Sequence, residues 1–185
     1  VKSKKPDFSE RDGLLFIGAF GHLPNIDAVD WFYHQIFSLV LEVIPDIKVT
    51  VLGSNPPEQI QKLNSSNFVV TGYLNDIDEY FINSRIFISP LRFGAGFKTK
   101  NARAMSYGLP VITTSIGAES MDVTDGINIL TADDAPVFAA KIIELYNNEK
   151  LWNKLSVNSI KHISENYSFQ NAQEFLEILL KNNNR

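Results

Sequence analysis

Between Pro90 and Lys100 the chain reads Pro-Leu-Arg-Phe-Gly-Ala-Gly-Phe-Lys-Thr-Lys, which sets Gly94 and Gly96 among the cations Arg92, Lys98 and Lys100. The two glycines can turn sharply and offer backbone N–H groups to an anion. A helix expected from Thr99 points its positive dipole end at the same place. Lys98 and Lys100 there oppose the dipole at a cost of about 0.3–1 kcal/mol each. A phosphate that neutralises the site accounts for that arrangement. Along the same helix Lys100, Arg103 and Tyr107 share one face.

Other residues could join this chemistry. His22 follows Gly21 and can donate to a phosphate, although a lone loop histidine is ordinary polar surface. His34 and His162 read as surface or satisfied side chains. Glu119, after Gly117-Ala118, can reach a sugar hydroxyl or cap a turn. The chain has no H-E-x-x-H, no phosphate-binding P-loop and no Ser-His-Asp order. Chemistry here would therefore work by positioning and by stabilising a departing phosphate. Gly18-x-x-Gly21 lacks the G-x-G-x-x-G fingerprint, which disfavours a nicotinamide-dependent oxidoreductase. No metal and no cofactor is expected.

These residues must be carried by a folded domain, and the composition supplies one. The chain has 185 residues, 44% hydrophobic and 21% charged, enough to bury roughly 70% of the unfolded surface in one core. A net charge of −4 argues against a general nucleic-acid or membrane-surface binder. The absence of cysteine excludes disulfides and thiolate nucleophiles and fits a reducing compartment. No apolar run approaches the roughly 18 residues that would span a bilayer. A cytoplasmic domain is the expectation.

Along the chain, residues 1–12 read as a polar linker and 13–185 as one domain. Apolar runs at 14–17, 48–52, 68–71, 86–88 and 109–113, with a weaker one at 128–130, are expected strands. A helix opens at Pro24-Asn25 and carries Ile26, Val29, Phe32, Ile36, Val40 and Val43 on one face until Pro45. Short helices are expected after Pro57 and after Asn75 or Asp76, and a longer one over 99–107 ended by Gly108. The tail reads as three helices: one capped by Asp133 or Asp134, one over 151–165, and one capped by Ser168 with Ala172, Phe175, Leu176 and Leu179 as its stripe. Alternation of strand and helix implies an α/β fold, a Rossmann-like parallel sheet of about six strands between two helical layers. Ligands then bind beyond the carboxyl ends of the strands, where glycine-containing loops fall at 18–25, 53–57, 72–76, 89–99 and 113–119.

Five motifs occur in order: Leu14-Leu15-Phe16-Ile17-Gly18 with His22-x-Pro24-Asn25-x-Asp27-Ala28-Val29; Thr71-Gly72-Tyr73; Pro90 through Lys100; Ala104-Met105-x-x-Gly108-Leu109-Pro110-Val111; and Ile116-Gly117-Ala118-Glu119. Together they resemble the group 1 retaining glycosyltransferases of the GT-B fold, over the carboxy-terminal, nucleotide-sugar-binding half. The resemblance implies a nucleoside-diphosphate-sugar donor as substrate. It also implies a glycan or lipid-linked acceptor, bound through an amino-terminal domain outside this chain, in polysaccharide or cell-surface glycan synthesis. Without that domain the chain would be inactive.

By position, the resemblance sets Gly18, Phe20, Gly21 and His22 toward the diphosphate or the reacting centre, and Gly53, Ser54, Tyr73 and Leu74 around base and ribose. Arg92, Gly94, Ala95, Gly96 and Phe97 fall toward sugar and phosphate, with Lys98, Lys100, Arg103 and Glu119 beside them. Many members carry one glutamate in the glycine loop and another in the helix that follows. Ala95 and Arg103 stand at those positions here, which leaves a non-catalytic scaffold or regulatory module as the alternative.

Overall fold

The computed structural model describes residues 6–167. Six parallel strands form one sheet: β1 (Leu14–Ile17), β2 (Val49–Leu52), β3 (Phe68–Thr71), β4 (Ile86–Ser89), β5 (Val111–Thr113) and β6 (Leu130–Thr131). Their spatial order is β3-β2-β1-β4-β5-β6. Leu14 pairs with Val49 on one side and Ile86 on the other, so β1 is central. These strands read as apolar runs because both their faces are covered.

Side chains alternate between the two faces, and each face has its own helical layer. Leu14, Phe16, Val49, Val51, Ile86 and Ile88 pack with α1 (Leu23–Trp31), the π-helical stretch Phe32–Phe37, α2 (Ser38–Leu41), α3 (Glu58–Gln61) and α7 (Ala135–Asn147). Leu15, Phe87 and Val111 turn the other way, onto Phe81 of α4 (Asp78–Asn83) and Ala104 and Met105 of α5 (Thr99–Ser106). α8 (Glu149–Asn166) links the layers, with Trp152 and Leu155 in the first core and Ile163 against the second. The expected doubly covered α/β sheet is therefore the fold.

Several boundaries differ for identifiable reasons. The helix over 24–43 is one run with a wider π turn at its centre, which brings Phe37 as well as Ile36 to the core. Its α-helical geometry ends at Leu41, so Val43 falls beyond the stripe and is exposed. Asp76 does not occupy the N-cap, but its Oδ1 accepts from Asp78 N at 3.0 Å. Asp134 caps α7. β5 begins only at Val111, after Pro110, and β6 is shifted to Leu130–Thr131. A helix expected from Ser168 lies outside the described residues.

Residues 6–12, within the stretch expected as a polar linker, pack against the domain. Phe8 opens a 3₁₀ turn and packs edge-on against Trp152, with ring centroids 5.9 Å apart. Arg11 is 2% exposed and donates to the carbonyls of Phe81 at 3.0 Å and Tyr107 at 3.3 Å, at the ends of α4 and α5. Carbonyl acceptors replace the water it loses, and burial still lowers its pKa to about 10. One arginine among polar residues carries no periodic signal, which is why pattern reading assigns it to solvent.

Candidate functional site

The chain leaves β1 toward one edge of the sheet and β4 toward the other, so the loops after these strands part and open a crevice. A cavity of about 450 Å³ occupies it, lined by Gly18, Ala19, His22, Pro24 and Asn25 from one loop and by Leu91 and Phe93 through Lys100 from the other. Both α1 and α5 begin at this cavity. Two positive dipole ends therefore meet there.

The backbone of this corner is close-packed by design of its glycines. A Cβ on Gly18 would lie 2.6 Å from Asn25 Cγ, and one on Gly53 would lie 2.1 Å from the Gly18 carbonyl oxygen and 2.8 Å from Phe20 Cε2. Phe20, expected near the diphosphate, is 4% exposed: its ring fills the core behind these glycines rather than facing the cavity. Gly94 and Gly96 have φ of +111° and +83°, a region that side chains rarely adopt.

The cations divide into distinct arrangements. Lys98, 8% exposed, donates through Nζ to the carbonyls of Gly96 at 2.6 Å and Gly94 at 3.0 Å, and lies 3.9 Å from Glu119 Oε2. It thus clamps the glycine loop while remaining at the cavity wall. Lys100 Nζ donates to Asn25 Oδ1 at 2.6 Å and stands 4.6 Å from the centroid of the Phe16 ring. Burial, with the charge of Lys98 adding to it, lowers the Lys100 pKa to about 7.

Arg92 and Arg103 are committed to carboxylates. Arg92 grips Asp27 with both Nε (2.9 Å) and a terminal nitrogen, and its guanidinium lies 5.5 Å from the Trp31 ring centroid. The pair ties the loop after β4 to α1 and raises the Arg92 pKa further. Arg103 donates to Asp78 Oδ1 at 2.8 Å and lies over Phe81. Tyr107 and Arg103 together hold the Asp78 carboxyl below its ordinary range. The face expected for these residues is shared in part: Lys100 and Arg103 line one cavity of about 310 Å³ with Ile17, Ile77 and Phe81, while Arg103 and Tyr107 bond Asp78.

The remaining candidates surround the same opening. His22 is exposed at the start of α1 and lines the cavity, and its side chain makes no cap hydrogen bond. Gly53, Ser54, Gly72, Tyr73 and Leu74 line an adjoining chamber of about 160 Å³ that shares Ile17, Gly18 and Ala19 with the main cavity. Tyr73 is 74% exposed at its rim. Glu119 follows the short helix α6 (Ser115–Ala118) and is exposed. Among the described residues no cluster of His, Asp or Glu could hold a metal, and no helix is long and apolar enough to cross a membrane.

The sequence places Asn25 and Asp27 in a motif but gives neither a role, and it does not single out Asn101. Asn101 is fully buried and donates to the Gly117 carbonyl at 2.8 Å, joining α5 to α6. Their roles arise from partners 65–75 positions away for Asp27 and Asn25 and 16 for Asn101. The one local signal is the step of two from Asn25 to Asp27 at a helix start.

The family model described as glycosyl transferases group 1 matches residues 11–148. Poly(glycerol-phosphate) alpha-glucosyltransferase of Bacillus subtilis is 32% identical over 90% of this chain and 25% of its own length. An uncharacterized 44.6 kDa protein in the cps region of Klebsiella pneumoniae is 29% identical over 83% of this chain and 42% of its own. The chain thus spans less than half the length of these relatives. Among solved structures, a mutant of S. aureus TarM in complex with fondaparinux, alpha-GlcNAc-glycerol and UDP superposes with a TM-score of 0.77 at 20% identity, over 98% of this chain and 37% of that one. The C-terminal domain of a group 1 family glycosyl transferase from Francisella tularensis superposes at 0.66 and 17% identity, over 87% of this chain and 90% of that one. The sheet order and covering helices are those of one half of a GT-B architecture.

Proposed function

The chain belongs to the group 1 glycosyl transferases, and on that premise we propose that it is the donor-binding half of a retaining glycosyltransferase that builds polysaccharide or cell-surface glycan. A nucleoside-diphosphate sugar would lie across the crevice, its diphosphate between the starts of α1 and α5. The carrying observation is the meeting of two helix N-termini with Lys98 and Lys100 around one cavity of about 450 Å³ at the parting of β1 and β4.

When the bond between the sugar and the diphosphate breaks, a negative charge develops on the departing phosphate. Lys100, the positive dipole ends of α1 and α5 and His22 at the rim face that charge, and such fixed groups stabilise it without reorganising. Lys98 supports them by holding the glycine loop. Base and ribose would occupy the chamber at Gly53, Ser54, Tyr73 and Leu74, and the sugar would meet Gly94 to Phe97 and Glu119. With Arg103 bound to Asp78, ribose recognition falls to the backbone and hydroxyl groups of that chamber.

The relatives named for glycan assembly support the product class. They include the poly(glycerol-phosphate) glucosyltransferase and an O-antigen chain mannosyltransferase of Escherichia coli that is 26% identical. The acceptor would be bound by a domain beyond this chain, since the relatives are much longer. No cofactor takes part. Calorimetric titration of the chain with UDP, GDP, ADP and CDP tests the reading. Saturable binding of at least one of them is expected; a folded sample indifferent to all would overturn it.

A further inference from the structure

We infer that Asn25 is the positioning residue for Lys100, holding its ammonium at the crevice with a neutral acceptor so that the whole positive charge is left for a diphosphate. The inference rests on the donor-binding reading above and adds to it a residue and its role.

The amide of Asn25 is fixed at both ends. Its Nδ2 donates to the Ala19 carbonyl at 2.8 Å, and its Oδ1 accepts from Lys100 Nζ at 2.6 Å. Its seat exists because residue 18 has no side chain: a Cβ there would lie 2.6–2.9 Å from all the terminal atoms of Asn25. One side chain therefore braces the loop after β1 against the first turn of α5, across the crevice in which a ligand must sit. The face of Phe16 supports the ammonium from below.

The charges around Lys100 explain why the brace is an amide. Lys98, from the preceding loop, and Arg103, from the next turn of α5, carry the same sign. His22 faces the same cavity from the start of α1. The neighbouring carboxylates are engaged elsewhere: Asp27 with Arg92, Asp78 with Arg103, and Glu119 near Lys98. Among the described residues no carboxylate forms an ion pair with Lys100. A carboxylate at position 25 would grip the ammonium more firmly but would neutralise it and repel a diphosphate. An amide grips without neutralising, and the site stays one anion short until a ligand arrives.

The test compares the full chain with N25D and N25A. The readout is the titration of the Lys100 Cε resonance in ¹³C-lysine-labelled protein, alongside UDP binding. The isosteric N25D should raise the Lys100 midpoint by roughly one to three pH units, as an opposite charge at contact distance does. N25A, which removes the acceptor for the charged form, should lower it. Both variants should bind UDP about 10- to 150-fold more weakly than the parent, the loss expected for one charge-assisted hydrogen bond. A residue that only holds the loop would weaken binding without moving the titration. A Lys100 midpoint that is the same in all three proteins overturns the inference. A parent chain that binds no nucleoside diphosphate overturns the donor reading instead, and the two failures are read by separate signals.

Discussion

Replacing Lys100 with methionine keeps most of the apolar stem and removes the charge, and its effect can be worked through in advance. In the free chain Lys100 has a pKa of about 7 because burial, and then Lys98, disfavour its charged form. At pH 8 about nine-tenths of the free molecules then carry a neutral amine, and at pH 7 about half do. A diphosphate oxygen against Nζ restores the proton, so binding UDP should take up about 0.5 proton at pH 7 and about 0.9 at pH 8. Affinity should fall by up to tenfold per pH unit above 7, by linkage. Below pH 7, where the parent is already charged, K100M should bind about 10- to 150-fold more weakly, from the roughly 1.5–3 kcal/mol of a hydrogen bond to a charged group. Calorimetry in buffers of different ionisation heat reads the proton uptake directly. Subtracting K100M from the parent separates Lys100 from His22 and from the phosphate's own ionisation. Uptake below about 0.1 proton at pH 8, or uptake unchanged in K100M, refutes the reasoning.

Other expectations follow from the same geometry. Because the folded pKa of Lys100 lies below its unfolded value, the unfolded chain holds more protons between pH 7 and about 10.4. Stability should therefore rise with pH across that window, by about 2 kcal/mol after discounting for solvent screening, and be flat below it; denaturant unfolding of parent and K100M checks this. Gly53→Ala must push a Cβ into the Gly18 carbonyl oxygen and should cost about 3 kcal/mol or more. Gly72→Ala meets nothing within 4 Å and should stay within about 1 kcal/mol of the parent in the same unfolding assay. A double-mutant cycle on Arg92→Ala and Asp27→Ala should give a coupling of about 1 kcal/mol, at the upper end for an exposed pair because the contact is bidentate. Coupling indistinguishable from zero would count against the brace between the loop after β4 and α1.

Much of this architecture is legible in the sequence because it rests on local rules. Buried parallel strands show as short apolar runs such as Leu14–Ile17 and Ile86–Ser89, and Gly108 marks the end of α5 by its left-handed φ of +66°. The crevice is legible too, since glycine loops after parallel strands fall on one edge of the sheet. What escapes is pairing across long separations. Nothing near Arg103 announces Asp78, nothing near Arg92 announces Asp27, and the burial of Arg11 depends on carbonyls 70 to 96 positions away. Phe20 illustrates a further limit, because position in a loop does not say whether a ring faces the ligand or the core.

Backbone amide shifts of the chain, recorded as UDP is added, map the donor site residue by residue. Saturable perturbations should cluster at residues 17–25, 53–54, 72–74 and 91–100. A competing cavity of about 490 Å³ lies at the opposite ends of the strands, lined by Glu10, Asp12, Lys48 and Glu79 among others. Perturbations confined to that cavity, or none at any concentration, would contradict a donor site at the parting of β1 and β4.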